Sequence, residues 1–307
     1  MPSVTVTVVV VNKDDPQIAD TLERLSHIDL TLKPEIVVVD ASAGRFEAIR
    51  RSHPEVIWTD YRHERGKPRS IAEQRNIGVR QAHGDVVVFL DASCVPTPEW
   101  LDHLLAPILR EGERITVGSV ETRGRKSVHD VAAPHGGGGT YLTECANMNV
   151  AFHRDVFQRI GEFDESLGFA EDVDFAWRAI DAGFAIRYVP TAVVAHNWGS
   201  TSEELRRALR YGIGRVRLYR KHKSRRRNLL GFDFFIVAYA IYVVLLPLAL
   251  VFPEYLLVLV IPVVRNRRTK PLLTTAYHLV YGAGVAAELL HIRLVSAQRT
   301  YDEHAPS

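Results

Sequence analysis

Cysteine is nearly missing from this chain. Its 307 residues hold two, Cys94 and Cys145, and their spacing fits neither a disulfide framework nor a zinc knuckle. No leader precedes the first apolar run, because Val4–Val11 begins at once, so the folded catalytic part is expected in the cytoplasm. A large charge imbalance is also lacking: 38 Lys and Arg face 36 Asp and Glu. With 47% apolar and 24% charged residues, the composition excludes a disordered chain. A Gly-rich loop bearing Lys or Arg is absent after the first strand, where Asn12-Lys13-Asp14-Asp15-Pro16 stands instead. That argues against a nucleotidyltransferase. Acid is absent from Arg206–Arg227, which is crowded with Arg and Lys. No nucleic-acid recognition motif accompanies this basic run, so no nucleic-acid partner is expected.

What is present alternates between strand and helix. Val4–Val11, Glu35–Asp40 and Val56–Trp58 read as strands, and Pro16–His27, Arg45–Arg51 and Ser70–His83 as helices. The run Val86–Leu90 has five consecutive apolar residues, rich in β-branched types, and reads as a fully buried strand. The order predicts an α/β fold with a mostly parallel sheet flanked by helices. Helix Pro98–Leu109, a strand around Ile115–Val120, the segment Cys145–Phe152, helices Arg154–Ile160 and Glu171–Ala182, and strand Ile186–Val189 follow. Between them Pro134–Gly139 is rich in glycine and reads as a flexible linker or as a lid over a site.

The C-terminal part is of another kind. Phe234–Phe252 is 19 residues without charge, long enough to cross a bilayer, while Tyr255–Val264 is short for that purpose. Basic clusters at Lys221–Arg227 and Arg265–Arg268 flank the pair. Both prefer the cytoplasmic side, which a tight hairpin over 234–264 satisfies whether or not it crosses fully. Leu272–Val295 reads as a span, an interfacial helix or a helix packed on the hairpin.

Four acids stand out: Asp40, Asp91, Asp172 and Asp174. Asp40 and Asp91 each end a predicted parallel strand, so they fall along the edge where open α/β sheets place ligands. Asp91 there either holds a divalent cation on a nucleotide diphosphate or caps the next turn. Glu171, Asp172 and Asp174 open a predicted helix, where the helix dipole alone would favour acids. Alternatively, one of them is a general base.

The order of segments resembles the family 2 glycosyltransferases. Val8–Asn12, Ile36–Ser42, Arg75–Gly78 and Phe89–Ser93 look like the nucleotide half. Asn147–Arg154, Gly161–Glu165, Glu171–Asp174, Tyr188–Pro190 and Val194–His196 look like the acceptor half. The likeness runs over roughly residues 3–220 and implies a GT-A fold, with a nucleotide-sugar half at 1–96, an acceptor half at 97–200 and a basic juxtamembrane region at 201–230. Membrane-associated helices at 231–295 and a polar tail at 296–307 would follow. The resemblance implies transfer from a nucleotide diphosphate sugar with inversion. Asp172 would be the base, assisted by Glu171. Asn12, Asp40, Arg75, Asn76, Asp91 and Arg178 would contact the donor, and Asn147, Asn149 and Asp174 the acceptor. Asp91, Ser93 and His196 would hold Mg2+ or Mn2+.

One departure matters. The family usually shows Asp-x-Asp, but here the motif is Asp91-Ala92-Ser93, and a hydroxyl is a weaker ligand for a hard metal than a carboxylate. The favoured outcome is that Asp91, His196, donor phosphates and water suffice. The others are weak metal binding with help from basic side chains, or a degenerate site that only binds a nucleotide sugar or glycan. Processive members carry a Gln-x-x-Arg-Trp motif, which does not occur after His196. The C-terminus resembles the membrane anchors of members that build envelope glycans or glycolipids. The expected acceptor is therefore a lipid, a lipid-linked glycan or an envelope polysaccharide, with membrane lipids as partners. Acceptor choice is expected to lie in loops such as His135–Tyr141.

Overall fold

The computed structural model describes residues 4–27, 33–62, 71–124, 140–231, 233–265, 267 and 270–291. The glycine-rich stretch Pro134–Gly139 and most of His135–Tyr141 lie outside the described residues. The chain divides into two compact units, the first running to Trp198 and the second beginning at Gly199. The basic segment after residue 200 therefore belongs to the second unit, although its resemblance had grouped it with the first.

In the first unit the parallel strands are β1 (Val6–Asn12), β2 (Glu35–Asp40), β3 (Ile57–Asp60) and β4 (Val86–Asp91). They alternate with helices α1 (Ile18–His27), α2 (Glu47–Ser52) and α3 (Ile71–Gln81). Then come β5 (Cys94–Pro96), α4 (Trp100–Glu111), β6 (Ile115–Thr122), β7 (Tyr141–Leu142), β8 (Asn149–His153), α5 (Arg154–Ile160), α6 (Glu171–Asp181) and β9 (Ile186–His196). Among the described residues they form one sheet in the order β3-β2-β1-β4-β8-β6-β9-β5, with β7 added to β9. The first four neighbours run parallel, and β8 then pairs antiparallel with β4 and β6. The expected α/β sheet is therefore present, with a parallel nucleotide half and a mixed second half. β1 and β4 are buried along nearly their whole length, as continuous apolar strands covered on both faces must be. Two apolar clusters pack the two faces of the sheet, one around α1 and α4 and the other around α3 and α6.

Helix α3 lies unusually close to β1. A Cβ on Gly78 would sit 2.3 Å from Val9 Cγ1, so only glycine allows this approach. Strand β9 runs further than expected. The sequence reads two strand-like runs, Ile186–Val189 and Ala192–Ala195, divided at Pro190, where a missing N–H breaks a ladder. The structure instead shifts register between Gly118 and Ser119, skipping from Val189 to Val193 on β9. The proline falls in that irregularity, where no ladder bond is required of it, and the strand continues to His196.

The second unit contains α7 (Thr201–Lys221), 3-10 turns at Lys223–Leu230, α8 (Phe234–Val244), 3-10 turns at Leu246–Leu250 and Pro253–Leu259, α9 (Val260–Arg265) and α10 (Pro271–Leu289). Ser200 and Glu203 cap the start of α7 reciprocally. Helices α7 and α10 meet at glycine. A Cβ on Gly212 would approach the Tyr281 carbonyl oxygen to 2.2 Å, and one on Gly284 would approach that of Leu209 to 2.1 Å. Gly282 is similarly close to Tyr239 of α8. Of the three readings kept open for Leu272–Val295, packing on the hairpin's first helix is the one seen over the described part. The uncharged run Phe234–Phe252 does not form one long helix: α8 ends at Val244, before Leu246-Pro247. Proline removes a donor and clashes with the preceding turn. No single described helix is long and apolar enough to cross a membrane.

Candidate active site

The parallel register aligns the polar strand ends. Asn12 lies beside Asp40, Asp40 beside Asp60, and Val11 beside Asp91. Asp40 and Asp91 thus share the sheet edge where such folds bind ligands. Asp60 joins them; it was missed because the sequence reading ended β3 at Trp58. Asp40 is buried. Its Oδ1 accepts from Asn12 Nδ2 at 3.0 Å, Ser42 Oγ at 2.6 Å and Ser42 N at 3.2 Å. Burial raises the Asp40 pKa, and the bonds from Ser42 and Asn12 oppose that rise. The backbone N–H of Asp14 donates to Ser42 Oγ at 2.7 Å, which ties the loops after β1 and β2 together. Both loops contain non-glycine residues in the left-handed region, Asp14 (φ 57°) and Ala43 (φ 53°). Such strain is held where surrounding structure fixes it, frequently at ligand sites.

The centre of the site is Arg75 on α3. Its guanidinium is buried, donates through Nη1 to Glu171 Oε1, and has Nη2 3.6 Å from Asp91 Oδ1. One cation therefore joins the donor-side acid to the acid pair that opens α6. Burial raises the Glu171 pKa, the Asp172 charge adds to this, and Arg75 opposes it. Asp172 is raised by burial too, against the pull of Arg75 and a hydrogen bond from Val173 N at 2.8 Å. Buried Glu144, which sequence reasoning did not single out, adds to the rise at Asp172. The two acids differ in access: Glu171 is 5% exposed and held by Arg75, whereas Asp172 is half-buried. Ala170, just before them, is left-handed at φ 67° and offers no side-chain cap.

Hydrogen bonding separates the other candidates. Asn76, expected at the donor, donates to the Phe163 carbonyl and Glu165 Oε1 and accepts from Phe163 N, so its amide pins the turn after α5. Asn149, expected at the acceptor, accepts from Trp100 Nε1 at 2.7 Å and donates to the carbonyls of Ser119 and Ala192. Asp174 is fully buried and pairs with Arg178 at 2.9 Å. Arg178 also donates to the carbonyls of Ile160 and Glu162, so this pair fastens α6 to the end of α5. The structure therefore engages Asn76, Asn149, Asp174 and Arg178 in the scaffold's own bonding. Asn12 Oδ1 and both amide atoms of Asn147 are buried without a hydrogen-bond partner. Such atoms are costly unless something meets them.

The metal candidates converge in part. β9 pairs His196 with Cys94 of β5, which brings His196 Nε2 to 3.0 Å from Ser93 Oγ. The His196 ring also packs on Trp198 at 4.3 Å. Asp91 Oδ1 has no hydrogen-bond partner. Among the described residues no group of three or more His, Cys, Asp and Glu side chains is arranged to hold a metal ion. One carboxylate, one hydroxyl and one imidazole fit an ion that brings further ligands with it. They do not fit a closed protein cage.

Comparison with known proteins agrees with this geometry. The family model described as glycosyl transferase family 2 matches residues 5–164, and that of glycosyl transferase family group 2 matches residues 143–281. The pre-mycofactocin glycosyltransferase of Mycobacterium tuberculosis is 29% identical over 178 residues, covering 53% of this chain and 37% of that one. The glucosyl-dolichyl phosphate glucuronosyltransferase of Haloferax volcanii is 23% identical over 146 residues, covering 43% and 46%. The chain thus spans less than half the length of these two curated relatives. The mannosyltransferase PcManGT from Pyrobaculum calidifontis, solved in complex with GDP-Man and Mn2+, superposes with a TM-score of 0.63 at 21% identity, covering 94% of this chain and 88% of that one. That likeness shows the fold.

Proposed function

This chain belongs to glycosyl transferase family 2, and from that premise we propose that it transfers a sugar from a nucleotide diphosphate sugar with inversion, using Asp172 as base. One observation carries the choice of base. Arg75 occupies the buried Glu171 carboxylate, while its neighbour Asp172 is partly open. The acceptor hydroxyl gives its proton to Asp172 as its oxygen bonds to the anomeric carbon. The bond from that carbon to the diphosphate breaks, and the nucleoside diphosphate leaves with the electron pair. Inversion follows because the base and the leaving group occupy opposite faces of the sugar. Asn12 and Asp40 hold the nucleoside at the sheet edge.

Asp91, His196 and Ser93 would hold Mg2+ or Mn2+ together with the diphosphate, offsetting the charge that grows as the bond breaks. The Pyrobaculum neighbour, solved with GDP-Man and Mn2+, supports a divalent ion arriving with its nucleotide sugar.

We infer a membrane-associated enzyme acting on the cytoplasmic side. Its acceptor would be a lipid, a lipid-linked glycan or an envelope polysaccharide. Support comes from the apolar, basic-flanked second unit and from the relative whose name specifies a dolichyl phosphate-linked sugar. A second reading, a binding module without turnover, is favoured only by Ser93 standing where a second carboxylate is usual.

One thermal-shift panel tests donor and metal together, using nucleotide diphosphates and nucleotide sugars with Mn2+ or chelator. A ligand that binds only the folded state raises the melting temperature. A rise with one nucleotide family, larger with Mn2+, is expected. Metal-independent binding without sugar transfer to lipid extract would establish the binding module instead.

A further inference from the structure

The second unit exposes apolar surface in one stretch. Among the described residues, all the exposed large hydrophobic side chains but Ile57, Leu109 and Tyr141 fall between Leu230 and Leu290. Leu250 is 88% exposed, Val251 71%, Leu257 64% and Ile261 67%. Contiguous exposure of this kind marks an interaction surface.

Its shape is a hairpin. After α8 the chain continues through Leu246–Leu250, reverses around Phe252-Pro253 and returns through Pro253–Leu259 into α9. Tyr255 stacks on Tyr242 at 4.7 Å and donates through its hydroxyl to the Tyr242 carbonyl at 2.9 Å, which locks the two arms. Even straight, Phe234–Leu250 would reach only about 26 Å and Pro253–Arg265 about 23 Å, against a hydrocarbon core of about 30 Å.

Charge names the occupant. Exposed Lys221, Lys223, Arg226 and Arg227 precede the hairpin, and exposed Arg265, Arg267 and Lys270 follow it. Between Phe234 and Lys270 the single acid is Glu254, at the turn. An anionic lipid surface offers apolar depth bordered by negative phosphates. A second copy of this stretch offers apolar contact with no acidic border. Charge at the turn also opposes sending the tip deep into hydrocarbon.

Resting on the membrane reading above, we propose that residues 245–264 enter one leaflet of an anionic bilayer and return without crossing it, with both basic clusters on the phosphates of that leaflet. The platform is α7, α8 and α10, held at glycine contacts. Arg217 and Arg220 both pair with Glu288 at the end of α10.

The full chain is mixed with preformed phosphatidylcholine vesicles, with or without 30% phosphatidylglycerol, and floated. We expect flotation with the anionic vesicles, weakened by high salt, and a loss of about tenfold or more in partitioning for Leu250→Asp/Leu257→Asp. A Glu254→Cys variant on intact vesicles is then treated with an impermeant maleimide. Cys94 and Cys145 are buried and give little background. Because the turn lies within the leaflet, protection is expected both on intact vesicles and after pores admit the reagent to the lumen, with labelling only once detergent dissolves the bilayer. Flotation with a site that labels from outside on intact vesicles, or as soon as pores admit the reagent to the lumen, would overturn one-leaflet insertion and leave membrane association standing. Absence of flotation would overturn both. A lipid-free dimer that Leu250→Asp dissolves, without flotation, would assign the surface to self-association instead.

Discussion

At the scale of single residues the site is organised by one cation among acids. Arg75 touches Glu171 and faces Asp91, so it stabilises the carboxylate forms that burial opposes. A base acts once it is deprotonated, and burial raises Asp172, so transfer should rise with pH through that raised value. Removing the cation of Arg75 raises it further. Arg75→Gln is therefore expected to shift the acidic limb of the kcat–pH profile to higher pH, and an unmoved limb would sever Arg75 from the base. Asp172→Asn should lower kcat by about 10²–10⁴ while the nucleotide-dependent melting shift persists, because Asp172 takes no part in the Asp40 cluster. The polar residues also show where type alone misleads. Asn76 and Asn147 look equally suited to bind a ligand from the sequence. The first has spent its amide on the Phe163 turn, and the second has no hydrogen-bond partner. That difference arises from contacts about ninety residues away, which no local pattern contains.

At the scale of elements, close approach fixes the site. α3 carries Arg75 three residues before Gly78, and Gly78 lets the helix settle on Val9 of β1. Gly78→Ala should destabilise the fold by about 1–3 kcal/mol through overpacking, measured by urea unfolding, and should weaken transfer as Arg75 moves. An alanine accommodated without loss of stability would mean that α3 can shift freely. Apolar runs made the parallel strands legible because strands covered on both faces must be continuously apolar. β9 was legible as two strand-like runs, Ile186–Val189 and Ala192–Ala195, but not as one strand, since their joining depends on an irregularity opposite Gly118. That continuation brings His196 to Ser93. The uncharged run of the second unit was legible as apolar and as one arm of a hairpin over 234–264, but its helix break at Leu245 was not, because that break is local.

At the scale of the whole molecule, the residues proposed to hold the donor and those proposed to meet a bilayer fall in different units. Leu250→Asp/Leu257→Asp should therefore leave the nucleotide-dependent melting shift unchanged while abolishing vesicle binding. A lost shift would show that donor binding needs the hairpin. The sequence by itself determined the α/β order, the acids at the ends of β2 and β4, the acid pair at the start of α6 and the basic borders of an apolar C-terminal unit. These follow from periodicity, charge and short-range order, which are properties of neighbours along the chain. Tertiary structure alone decided that Arg75 bridges Asp91 and Glu171, that Asp174 and Arg178 satisfy each other, and that Ser93 meets His196. Burial and partnership are set by residues distant in sequence, and the same side chain costs or contributes free energy according to what folding brings against it.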